Sequence, residues 1–192
     1  MPAELERRTF PDASTLRSWY EANHDSSPGM WVQIAKKGTG VETVTHDEAV
    51  LEALCFGWID GQRLKHDETY FLQRFTPRTK RSPWSKINTD RVARLIEEQR
   101  MHPAGLRAVE AAQADGRWDR AYAGQATASV PDDLRAALDA SPDAAACFAG
   151  LDSRNRFAIV YRVNSVKRPE TRARKIAGFV ADLEQGRTPY PT

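Results

Sequence analysis

The chain has 192 residues, 41% of them hydrophobic, and 28 Lys and Arg against 26 Asp and Glu leave a net charge of +2. That length and apolar content suffice for a real core, at a size between one large domain and two small ones. A balance so close to neutral gives no global attraction to nucleic acid or to an anionic membrane.

Charge is nonetheless unevenly spread, with eight basic against three acidic residues over 72–100 and eight against one over 154–175, but four against eight over 101–153. The N-terminal MPAELERRTF lacks the apolar stretch of a secretory signal, and no apolar run elsewhere approaches membrane-spanning length. Cys55 and Cys147 each sit in an apolar helical pattern, the setting of small buried thiols in their reduced form. A soluble cytoplasmic protein is the expectation.

In chain order, Glu4 to Phe10 is extended in character. Asp12 or Ser14 can cap a helix carrying Leu16, Trp19 and Tyr20. Met30 to Ala35 alternates as a strand does, and the glycine-rich segment from Lys36 to Gly40 is a turn. Thr45 and Glu48 form a capping box for a helix from about His46 to Phe56, which Gly57 ends. From Trp58 the period becomes two, placing Trp58, Asp60, Gln62 and Leu64 on one face, and a strand from Thr69 to Phe75 returns antiparallel. With the turn centred on Asp67, Asp60 and Arg74 become cross-strand partners of opposite charge.

Pro77 and Pro83 make Thr76 to Ser85 an exposed loop. Ser85 or Asn88 caps the next helix, with Val92, Leu95 and Ile96 as its apolar stripe, and Pro103 opens another through Leu106, Val109 and Ala112 to Gly116. Residues 121–129 are small and weakly patterned, a link between lobes. Beyond them, helices are predicted after Pro131 and Pro142, over Phe157 to Val163, and from Pro169 to about Gln185, with Gly186 as the stop. The fold class is therefore α+β: a small antiparallel or mixed sheet with helices in lobe 1–120, then an all-helical lobe 130–192 packed against it.

The motifs ALCFGWIDG (Ala53 to Gly61), FTPR (Phe75 to Arg78), SPWSKIN (Ser82 to Asn88), RMHPAG (Arg100 to Gly105), VPDDL (Val130 to Leu134) and KRPETRARKI (Lys167 to Ile176) occur in order along nearly the whole chain. As a set they resemble the YdeI/OmpD-associated family, also labelled bacteriocin-protection proteins. The resemblance implies a protective role in stress or against bacteriocins, exerted from the cytoplasm without direct porin contact, and supplies no catalytic residues.

Two features carry candidate chemistry. Arg74, Arg78, Lys80, Arg81 and Lys86 surround Trp84 ahead of a helix start at Ser85 to Asn88, where guanidinium groups, free amides and the helix dipole favour an anion and Trp58 or Trp84 can stack on a planar ligand. The alternative is a solvated loop with Trp84 as its anchor. Asp60, beside Trp58, is either a general acid or base on a small phosphorylated or carboxylated substrate or the ion-pair partner of Arg74. In the second block, Lys167, Arg168, Arg172 and Lys175 crowd a helix N-terminus, where they oppose the dipole unless Asp132, Asp133 or an acidic partner neutralises them. Nucleic-acid binding requires the two blocks to form one surface. His24, His46, His66 and His102 lack metal-ligand spacing, no nucleotide or dinucleotide fingerprint is present, and no metal or cofactor is expected.

Overall fold

The computed structural model describes residues 5–124 and 128–191. The chain divides into two compact units, Met1–Ala121 and Tyr122–Thr192. Of the link expected at 121–129, residues 125–127 lie outside the described residues.

The first unit is built on a four-stranded mixed sheet of order β1-β2-β4-β3, formed by β1 (Glu6–Thr9), β2 (Met30–Ala35), β3 (Trp58–Lys65) and β4 (Tyr70–Pro77). The short edge strand β1 runs parallel to β2, joined to it by helix α1 (Ala13–Asn23), and the other pairs are antiparallel. Alternation in β2 is expressed as expected: Met30, Val32 and Ile34 are buried, opposite Phe75, Gln73 and Phe71 of β4, while Trp31, Gln33 and Ala35 lie on the other face.

Helix α2 (His46–Cys55) forms where the capping box predicts it: the Glu48 amide donates to Thr45 Oγ1 at 3.2 Å, and the Thr45 amide donates to Glu48 Oε2 at 2.8 Å. Gly57, at φ 76°, ends that turn in a conformation costly to any residue with a Cβ. Ala49, Val50, Ala53 and Leu54 pack with α1 and the inner sheet face in one core.

Helices α3 (Lys86–Glu97) and α4 (Pro103–Ala114) complete the first unit. Their stripes differ from expectation. Ile96 is 44% exposed and Leu106 36% exposed, whereas Gly105, Val109 and Ala112 form the buried line of α4. The reason is a backbone contact: α4 meets the end of α2 at Gly105, so the close-packed face centres on the residue without a side chain.

The second unit consists of α5 (Asp132–Asp139), α6 (Pro142–Gly150), α7 (Ser153–Asn164) and α8 (Pro169–Glu184). Phe157 to Val163 is helical, as expected, within α7. Leu134, Leu138, Ile159, Val163, Ile176 and Leu183 form a core of its own. Among the described residues, no helix is long and apolar enough to cross a membrane.

Candidate functional site

The basic loop is wound around an interior indole. Arg78 lies with its guanidinium carbon 3.6 Å from the centre of the Trp84 ring, and it donates from Nε to Trp58 O (3.2 Å) and from Nη1 to Pro83 O (3.0 Å). Arg117 donates from Nη1 to Ser82 O at 3.2 Å, bracing the same loop. Trp84 is 1% exposed and packs against Trp118 with ring centres 5.0 Å apart. Trp58 is likewise 1% exposed; its Nε1 donates to His24 O at 3.2 Å, and Trp19 and Tyr20 meet its ring edge to face.

Neither indole presents a face to a ligand, which corrects the expectation that Trp58 or Trp84 stacks on one. A large apolar ring beside the core gains more from burial than from waiting in solvent. Ser85 caps α3, its Oγ accepting from the Asn88 amide at 3.2 Å, and exposed Lys86 pairs with Asp90 one turn on at 2.9 Å. Lys80 and Arg81 remain exposed on the loop.

Asp60 and Arg74 separate. Asp60 stands opposite Phe75, and the register shifts between Asp60 and Arg63, so Arg63 faces Gln73 and Leu64 faces Leu72. This is a β-bulge at Gly61 and Gln62, where glycine in a strand is characteristic. The buried Gln73 amide fixes it by donating to Gly61 O at 2.9 Å. The bulge breaks the expected alternation from Trp58 to Leu64; the pairing of Lys65 with Phe71 centres the hairpin on Glu68 and not on Asp67, so Asp60 faces Phe75 and the expected pairing with Arg74 is absent.

What the bulge does instead is seat Arg74 on Gly61. A Cβ on Gly61 would stand 3.2 Å from Arg74 Nε, 3.4 Å from Nη2 and 3.8 Å from Cζ. With both nitrogens nearer than the carbon, that position lies in front of the Nε/Nη2 edge, the one a carboxylate or phosphate grips with two parallel bonds. Glycine makes room for this close approach of the guanidinium, and Gly61 itself is exposed. Arg74 Nε is buried and has no hydrogen-bond partner among the described residues. Trp31 is directly opposite Arg74 on β2, and Arg7 opposite Trp31 on β1, so one row across three strands reads Arg7, Trp31, Arg74. Sequence reasoning passed over Trp31 and Arg7; the signal available was the alternation of β2, which puts Trp31 on the face away from the core.

In the second unit one member of the α8 block is neutralised internally. Arg172 holds both oxygens of Asp133, from Nε to Oδ2 and from Nη2 to Oδ1 at 2.9 Å, and donates from Nη1 to Val163 O at 2.7 Å. Arg168 is the N-cap of α8 and Lys167 precedes it, both exposed, while Lys175 is half-buried.

Hydrogen bonds from Arg172 hold the Asp133 carboxyl below its ordinary range. A folded-state value below the unfolded one, about 3.9, means the contribution to stability is complete above that pH and is lost as pH falls through the folded value. Asp133→Asn is therefore expected to lower the melting temperature above pH 5 and to converge on the wild type near pH 2. A constant gap across that range in thermal melts would contradict the pair.

Beneath these surfaces Glu52, 3% exposed, receives Arg17 at 3.0 Å and Arg100 at 2.7 Å. Cys55, one turn along α2, is fully buried, and burial pushes its thiol up, away from the reactive thiolate. Among the described residues no group of His, Cys, Asp and Glu is arranged to hold a metal.

A family model described as Bacteriocin-protection, YdeI or OmpD-Associated matches residues 127–186. The match falls within the second part of the chain. The expectation that the likeness spans nearly the whole chain is narrowed by a second model, Domain of unknown function (DUF8412), which matches residues 8–108, more than half of the sequence, and shows that family for the first unit. VPDDL and KRPETRARKI thus fall within the YdeI/OmpD-associated match, and the four earlier motifs within the other. No curated protein and no solved structure matches the chain.

Proposed function

We propose that this YdeI/OmpD-associated protein is a non-enzymatic protection protein of the cytoplasm, acting in stress or against bacteriocins, and that it binds an anionic group through Arg74. The observation that carries the reading is the Arg74 guanidinium against exposed Gly61, its Nε buried and without a hydrogen-bond partner among the described residues. A buried N–H without an acceptor costs about 1–3 kcal/mol, and a carboxylate or phosphate that reaches the guanidinium relieves that cost while pairing with the charge. Arg7 and Trp31 in the same row extend the basic, half-apolar surface around it. The protective role is supported by the name of the family that matches the second unit.

Calorimetric titration of inorganic pyrophosphate into the intact chain tests this. Arg74→Gln is expected to weaken binding about tenfold or more, the scale of a lost charge-assisted pair. Gly61→Ala keeps the charge but crowds the Arg74 guanidinium, and is expected to weaken binding several-fold. Arg81→Ala, on the exposed loop, is expected to change it by less than about twofold at moderate salt. Equal losses from Arg74→Gln and Arg81→Ala would show diffuse attraction to the basic block and reject the site.

A further inference from the structure

A cleft of about 770 Å³ opens in the first unit between the β2–α2 connection, the ends of β3 and β4, and the starts of α1 and α2, a size typical of small-molecule sites. Arg74 and Gly61 are not among the residues that line it. Its cations come from strands and the turn after β2: Lys36, Lys37 and Arg63. Its carboxylates come from the helix starts and the loop before α2: Asp12, Glu48 and Glu42. Ile34, Val41, Val44 and Phe71 supply apolar surface, and Val41 is 41% exposed.

Four of the six charged groups, Arg63, Lys36, Asp12 and Glu48, are held by contacts within the protein. Arg63 lies flat on Phe71, its guanidinium carbon 3.6 Å from the ring centre, which leaves its N–H edges directed outward. Lys36 is tethered through Nζ to Asp67 O. Asp12 caps α1 through Oδ1, accepting from the Thr15 amide at 2.8 Å, and Glu48 closes its capping box through Oε2. Each carboxylate is thereby fixed by one oxygen while the other makes no hydrogen bond among the described residues.

Three cations face three carboxylates, so the cleft carries no net charge apart from His46. A simple anion there is attracted by the basic groups and repelled by the carboxylates, and a simple cation the reverse. A dipolar molecule satisfies both ends. We propose that this cleft binds a zwitterionic amino acid or short peptide, its carboxylate on Arg63 and Lys37, its ammonium toward Asp12, Glu42 and Glu48, and an apolar side chain against Val41 and Phe71.

The test is calorimetric titration of the intact chain with the dipeptide glycyl-leucine, its N-acetyl derivative, its C-terminal amide and inorganic phosphate. Glycyl-leucine is expected to saturate one site, with both blocked forms about tenfold weaker or worse, because each leaves a desolvated charged group unpaired. Phosphate is expected not to displace it. Arg63→Ala, at an exposed position, is expected to erase the difference between the dipeptide and its amide, and Arg81→Ala, which does not line the cleft, to leave the three peptide titrations unchanged. Blocked dipeptides binding as well as the free one, displacement by phosphate, or no saturation below about 10 mM would each overturn the assignment.

Discussion

Gly105→Ala is expected to destabilise the first unit by about 3 kcal/mol or more, read as a drop in the denaturant midpoint at unchanged slope. Gly105 lies in the first turn of α4, and a Cβ there would stand 2.1 Å from Cys55 O, a backbone atom that cannot rotate away. The same carbonyl accepts the His102 amide at 3.0 Å just before α4 begins, so moving it aside breaks the junction of two helices. In an exposed helix the substitution would stabilise by up to about 1 kcal/mol, and Gly178 in α8, with nothing within 4 Å of its Cβ position, supplies that comparison. Gly178→Ala is expected to be neutral or stabilising. Equal effects at the two glycines would mean that α2 and α4 do not meet through backbone.

The second large effect is expected at Glu52. This carboxylate is buried between Arg17 Nη1 and Arg100 Nη2, while Arg17 Nη2 donates in addition to Arg100 O at 3.0 Å. It therefore ties α1, α2 and the segment after α3 together through one side chain. Glu52→Gln keeps the shape but leaves two guanidinium groups facing a neutral amide. Breaking a buried pair typically costs about 3–5 kcal/mol; with both arginines about a third exposed, solvent recovers part of that, and about 2 kcal/mol is expected. Arg100→Gln should cost less, since Glu52 keeps Arg17. A loss below about 0.5 kcal/mol for Glu52→Gln in urea melts would show that the triad contributes no stability.

These two residues also show where sequence reasoning stops. The capping box at Thr45 and Glu48, the alternation of β2 and the Pro-led starts of α4, α6 and α8 are local, and spacing alone reveals them. Gly105 within a helical pattern reads only as a weak helix former until the partner backbone is known. Glu52 sits among apolar residues of α2, 35 positions from Arg17 and 48 from Arg100, too far apart for any local pattern to link them.

The candidate site divides the same way. The neutralisation of Arg172 by an acid of the middle segment was foreseeable from charge alone, and Asp133 of α5 supplies it. The Asp60–Arg74 pairing rested on symmetric counting about Asp67, and a turn centred one residue later, on Glu68, together with a bulge at Gly61 defeats it, because neither leaves a trace in spacing beyond the glycine itself. Arg78 and Arg74, four positions apart, look equivalent in sequence, yet one stacks on an interior indole and donates to main-chain carbonyls while the other lacks an acceptor for Nε. That contrast depends on the path of the loop around Trp84.

The most direct measurement is the Nε–Hε resonance of Arg74 in a proton–nitrogen NMR spectrum, assigned by its disappearance in Arg74→Gln, followed as pyrophosphate is added. If the guanidinium edge above Gly61 receives the anion, that signal moves downfield and saturates with the calorimetric isotherm, while the Arg78 signal on Trp84 stays in place. An Arg74 signal that holds still while those of Arg81 and the exposed lysines respond would contradict the account.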